Sequence, residues 1–177
     1  MAERENLDRI IAGCKSGDAE SFSQLIDMYA GRCHGYFYRL TGNRTVSDDL
    51  LGELFVKLVE KIGSFKGGSF EGWLFKVVSN IFHDYLRAKH RQSRFLETQK
   101  SRMQSQVSEP ERCDGDEIDK LQLQLNKLDA DTREVIMLRY YSQASFREIA
   151  QMRSELIGTT LSKVHRGLKK LRELMEA

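Results

Sequence analysis

Apolar residues along this chain recur at helical spacing. Leu7, Ile10, Ile11 and Cys14 stand at i, i+3, i+4 and i+7, and Phe22, Leu25, Ile26 and Tyr29 repeat the step. Ser16-Gly17-Asp18 separates the two predicted helices, with Asp18 placed to cap the second. Cys33, Tyr36, Phe37 and Leu40 give a third, stopped by Thr41-Gly42-Asn43. A fourth, from about Ser47, offers Leu50, Leu51, Leu54, Phe55, Leu58, Val59 and Ile62 to a core. After a glycine-rich break at 63–69, a fifth sets Phe70, Trp73, Leu74, Val77, Val78 and Ile81 on one stripe. No segment alternates with period two for the length of a strand.

From about 94 to 116 the pattern fails. Gln, Ser, Glu, Arg and Lys dominate there, and the only proline, Pro110, lies within it. That composition predicts a flexible polar linker. Regular spacing resumes at Ile118, Leu121, Leu125 and Leu128, followed by three short helices over about 130–140, 145–153 and 157–175. The predicted fold is therefore all-α, with two small helical domains, 1–93 and 117–177, tethered by 94–116 and packing as separate bodies.

Composition narrows the chemistry. Lys plus Arg (28) and Asp plus Glu (26) leave a net charge of only +2, so bulk charge does not announce a nucleic-acid partner. No apolar run approaches the roughly 20 residues of a membrane span, and the charged N-terminus has no secretory core, so no membrane insertion is expected. Cys14, Cys33 and Cys113 are far apart with no Cys-x-x-Cys pair, which argues against a disulfide framework or structural zinc and for a cytoplasmic protein. His34, His83, His90 and His165 have no partners at metal-ligand spacing. No catalytic triad, nucleophile elbow or phosphate loop is present, so neither an enzyme nor a cofactor is expected.

Local signals concentrate at the C-terminal end. Ser145-Phe146-Arg147-Glu148 has the form of a capping box, and Ile149, Ala150 and Met152 give the short helix it opens an inner face. Small Ala150 lets a following helix cross closely, as a helix-turn-helix requires. Gly158-Thr159-Thr160 opens that helix, whose predicted inner stripe is Leu161, Val164, Leu168 and Leu171. Residues 157–172 carry Lys163, Arg166, Lys169, Lys170 and Arg172 and no acid, a balance that suits a phosphate backbone.

The first half divides its charge differently. On the fourth helix Asp48, Asp49, Glu53 and Glu60 outnumber Arg44 and Lys57, which favours a protein partner over DNA. Between Lys76 and Arg102 the balance reverses to seven cations against two acids. Lys76, Asn80, Asp84 and Arg87 share one helical face there, where amide and guanidinium groups can read base edges. Asp84 has an equal structural reading as a helix-internal partner of Arg87. In Ser64-Phe65-Lys66-Gly67-Gly68-Ser69, Phe65 is either a stacking surface or a core side chain.

These segments, in this order, resemble the sigma-70 family of bacterial transcription initiation factors, in particular its two-domain extracytoplasmic-function (ECF) group. The resemblance rests on Gly17-Asp18-Ala19-Glu20-Ser21-Phe22 with Leu25 and Tyr29, on 47–58, on Phe65 with 70–80 and 84–87, and on Arg133, Glu148-Ile149-Ala150, Gly158-Thr159, Ser162 and Arg166. It implies that Asp49 and Glu53 meet the clamp helices of the large polymerase subunit. It implies too that Phe65, Lys76, Asn80, Asp84 and Arg87 receive and melt the −10 element. Thr159, Ser162, Lys163, His165, Arg166, Lys169 and Arg172 would serve the −35 element, the last two mostly through phosphate. Core RNA polymerase, promoter DNA and an anti-sigma factor are the implied partners. Five positions depart from the family pattern: Gly52 stands for a usual glutamine, Leu161 for a usual polar or basic residue, Thr160 for a usual valine, and Arg153-Ser154 for a common Leu-Gly turn. Two other readings compete: a helix-turn-helix regulator that never engages polymerase, and a sigma-like decoy that occupies an anti-sigma factor.

Overall fold

The computed structural model describes residues 2–100 and 120–176, which hold eight α-helices and no strand. The first half contains α1 (Ala2–Lys15), α2 (Ala19–Thr41), α3 (Arg44–Lys61) and α4 (Phe70–Lys100), with a short 3-10 turn after α3. The second contains α5 (Lys120–Leu125), α6 (Ala130–Ser142), α7 (Phe146–Arg153) and α8 (Ile157–Glu176).

Side-chain caps set most helix starts. Asp18 accepts the Ser21 amide at 2.9 Å to open α2. Asn43 accepts the Val46 amide at 3.0 Å, so α3 begins ahead of the start that the apolar spacing marks. Asp129 caps α6 at 2.8 Å, and Ser145 and Glu148 form the expected reciprocal box on α7. The second and third predicted helices are one: Gly31 faces solvent in the middle of α2, which continues to Gly42 at φ 65°. α4 runs through residues 94–100, which the polar composition assigned to the linker. The remaining linker positions, 101–116, with Pro110 and Cys113, lie outside the described residues.

Two buried stripes differ from their expected positions. On α3, Leu50, Leu54 and Leu58 are buried, but Val59 is 61% exposed. On α8 the inner residues are Thr160, Val164 and Gly167, while Leu161 and Leu168 face outward at 42% and 49% exposure. Small side chains explain the rotation. A Cβ on Gly167 would stand 2.4 Å from Thr132 Cγ2 and 2.7 Å from Ile136 Cδ1, so α8 lies on α6 along a bare backbone.

The halves also fail to stay apart as expected. α6 packs on α2 and α4, α7 on α4, and one cluster of buried apolar residues runs through both halves. Gly35 makes room for Tyr141, whose ring edge would lie 2.7 Å from a Cβ at that position. Arg32 donates to the Tyr141 carbonyl at 2.6 and 2.9 Å, and Gln122 Nε2 donates to the Arg39 carbonyl at 3.3 Å. Complementary backbone and apolar surfaces thus hold two family-like units in one compact arrangement.

Candidate functional site

The outward surface of α8 is the most strongly charged helix face of the second half. Ser162, His165, Arg166, Lys169, Lys170 and Arg172 are all exposed, and so is Thr159 in the first turn. Lys163 is different. Its ammonium lies 2.5 Å from Glu155 and 2.6 Å from Asp131 and is only 19% exposed, so it ties the α7–α8 turn to the start of α6. Among the −35 candidates it alone points back into the protein's own carboxylates. Hydrogen bonds to Asp131 and Glu155 raise its pKa, which keeps it charged in that role.

The unusual turn explains itself in the same geometry. Ser154 adopts the left-handed conformation, φ 54°, in which a glycine would be unstrained. Arg153 beside it reaches Asp131, Glu155 at 3.2 Å and Glu134 at 2.7 Å. These bonds clamp the turn that presents α8.

On α4, Lys76, Asn80, Asp84 and Arg87 are exposed along one side. Arg87 donates to Asp84, and Lys57 of α3 approaches the same carboxylate at 3.7 Å. The Arg87 hydrogen bond, together with the two cationic charges, holds the Asp84 carboxyl below its ordinary range. Asp84 is thus a link between α3 and α4 as well as a member of the candidate face. Phe65 lies in the core at 7% exposure, edge-on to Phe70 and tilted against Trp73, with the Lys15 ammonium over its ring. Of its two readings, the core reading describes this structure. The loop beyond it needs its glycines: Gly67 and Gly68 have φ of 100° and 95°.

The α3 face carries Asp48, Asp49, Glu53 and Glu60, all exposed. Glu53 pairs with Lys57 at 2.9 Å. Between the acids lie Val56 and Val59 and the bare backbone of Gly52, which has open space where a Cβ would go. The apolar spacing predicts a core position for Val59, yet both valines are exposed, at 59% and 61%. Together they form the apolar centre of an acid-rimmed surface, the pattern of a protein contact. Its only signal in the sequence is that two valines fall on the acidic side of the helix.

One further cluster, centred on Glu134 of α6, had no sequence signal. Glu134 is 4% exposed and accepts from Tyr36 at 3.2 Å, Ser79 at 2.7 Å and Arg153 at 2.7 Å, with His83 Nε2 at 2.9 Å. Burial raises its pKa, but the His83 hydrogen bond, the Arg153 charge and the Ser79 hydrogen bond outweigh that and hold it at about 2. The bond to Glu134 raises the His83 pKa in turn. Three of the four partners come from the first half, so a buried carboxylate joins the two. Burial also pushes the Cys33 thiol up to about 12. Among the described residues no group of His, Cys, Asp and Glu could hold a metal, and no helix is long and apolar enough to cross a membrane.

The family models for sigma-70 region 2 and sigma-70 region 4 match residues 25–92 and 118–171. The chain is 29% identical to the ECF RNA polymerase sigma factor SigE of Mycolicibacterium smegmatis over 88% of its length, but it spans only 62% of that relative. It is 30% identical to the ECF RNA polymerase sigma factor EcfG of Rhodopseudomonas palustris, over 77% of this chain and 75% of that one. The sigma factor RpoE of Bartonella quintana, solved in complex with the anti-sigma factor NepR, superposes with a TM-score of 0.70 at 26% identity. That match covers 90% of this chain and 99% of RpoE. With both regions matched in order and a well-covered relative at this identity, the chain belongs to the ECF group of sigma-70 family RNA polymerase sigma factors.

Proposed function

We propose that this chain gives core RNA polymerase its promoter specificity in the cytoplasm, and that its surfaces divide the work. The α3 face of Asp49, Glu53, Val56 and Val59 docks on the clamp helices of the large subunit. The α4 face of Lys76, Asn80 and Arg87 receives the −10 element, with Asp84 orienting Arg87. Thr159, Ser162, His165 and Arg166 on α8 meet base edges of the −35 element, while Lys169 and Arg172 hold phosphates. Lys163 and Phe65 support these surfaces from within. An anti-sigma protein is the proposed regulatory partner, by likeness to the RpoE–NepR pair.

The observation that carries this reading is the contrast of two outward faces. One on α3 combines exposed valines with acids; one on α8 is cationic through residue 172 and acid-free. A regulator that bypasses polymerase would have no use for the first, and a decoy would have none for the second. The test is transcription reconstituted from purified core polymerase and fragmented genomic DNA. Transcripts should start at a small set of shared upstream sequences only when the chain is added. Identical, scattered starts with and without it would refute the reading.

A further inference from the structure

Leu161 is the departure that this division of labour leaves unexplained. It lies in the second turn of α8, 42% exposed, where an inward-facing stripe would have hidden it. Its place on the helix follows from its neighbours. Thr160, Val164 and Gly167 face the core, so Leu161 stands about 100° round the helix from Thr160, on the side of His165 and Arg172. Lys163 lies on the opposite flank, its ammonium taken up by Asp131 and Glu155. The protein's own carboxylates thus already compensate that cation. A duplex is drawn instead to the side where His165, Arg166, Lys169 and Arg172 are exposed, and Leu161 lies at its edge.

The position along the axis matters as much as the angle. Recognition helices touch base edges with their N-terminal residues and phosphates farther along. Leu161 is the fifth residue of α8, flanked by Ser162 and one turn from His165. Leu168, on nearly the same side, sits about 10 Å farther toward the C-terminal end. An isobutyl group offers no hydrogen bond, so it cannot read a donor or acceptor. In the major groove the one apolar mark on a base is the C5-methyl of thymine. From this geometry we infer that Leu161 packs against the methyl group of a thymine in the −35 element and makes that base pair a specificity determinant for this chain.

The inference rests on the promoter-reading function proposed above. The −35 sequence is first obtained from the reconstituted transcripts with full-length chain and core polymerase. Each thymine in it, on either strand, is then replaced by deoxyuridine, which removes the methyl and nothing else. One replacement should weaken promoter binding by the wild-type holoenzyme about fourfold, the factor expected for burying a single methyl-sized group. With Leu161→Ala the same replacement should have no effect, while Leu168→Ala should keep the wild-type response. Melting curves for both variants, altered only at exposed side chains, should overlay the wild type. Three outcomes overturn the inference: a −35 element without thymine, binding indifferent to deoxyuridine throughout, or an unchanged deoxyuridine response in Leu161→Ala. A Leu161→Ala chain that loses core polymerase affinity and not base discrimination would assign the leucine to a protein contact instead. Absence of promoter-specific transcripts would defeat the parent reading, a failure visible before any thymine is changed.

Discussion

Lys163 and Arg166 lie three residues apart on α8 and carry the same charge, yet their surroundings assign them different tasks. Lys163 is held by Glu155 and Asp131, whereas Arg166 is exposed and donates to the Ser162 carbonyl at 3.3 Å. Arg166→Ala should therefore weaken duplex binding and lower the salt slope of affinity by about one, as expected for one lost phosphate or base cation. Lys163→Met should leave that slope unchanged and lower thermal stability slightly, since partly exposed pairs contribute about 0.2–1 kcal/mol. Anisotropy titrations over a salt series, with melting curves, check both. Phe65 gives a second residue-scale prediction. Buried among Phe70, Trp73 and Lys15, it should cost about 3–5 kcal/mol on truncation to alanine, read by urea denaturation. An unchanged denaturation midpoint would mean the ring serves DNA and not the core. Sequence could name both residues but not decide their direction, because each outcome depends on partners 5 to 50 positions away.

At the scale of elements, helical spacing and caps carried most of the information. The capping box at Ser145 and Glu148 and the cap at Asp18 stand as the local pattern requires. Errors arose where small residues changed which face packs. α8 turns on Gly167 and Thr160, neither of which registers in a hydrophobic stripe, so Leu161 and Leu168 looked internal and are not. The two stripes on either side of Gly31 belong to one helix, in which that glycine faces solvent. Gly52 offers a direct test of the same principle. Nothing lies within 4 Å of its would-be Cβ. Gly52→Ala should thus stabilise α3 by up to about 1 kcal/mol and raise the melting temperature by about 2–4 °C. If a partner helix approaches that bare backbone, affinity for core polymerase should fall in the same variant. A gain in both would remove Gly52 from the interface.

For the whole molecule, the two-part organisation was legible from the polar stretch after 94, and the docking of the parts was not. Glu134 looked like one more helix acid; its partners Tyr36, Ser79 and His83 lie 51 to 98 positions away. The docked form has a consequence for function. A compact chain of this length has a radius of gyration of about 16 Å, whereas DNA elements 25 base pairs apart are separated by about 85 Å. Reading both at once requires the halves to part. The Glu134 cluster sets how that depends on pH. His83 has a raised pKa only when docked, so its contribution is complete below its ordinary value near 6.5 and is lost as pH rises through the raised one. Glu134, held near 2, contributes above its ordinary range and loses that contribution only as pH falls toward 2. Small-angle scattering of the free chain should therefore show expansion as pH rises from 6 to above 8. His83→Gln should remove that trend, and a radius independent of pH in the wild type would disprove it.

Separation of roles between an acid-rimmed α3 and a cationic α8 is most directly examined by two variants in two assays. Glu53→Lys and Arg166→Ala should each fold, and each is measured for affinity to core polymerase and for −35-dependent initiation at saturating core. Glu53→Lys should weaken the polymerase complex while leaving promoter choice intact once bound. Arg166→Ala should keep full affinity for polymerase and lose discrimination for the −35 element. If both variants lose both activities together, the two faces are one functional surface and the account fails.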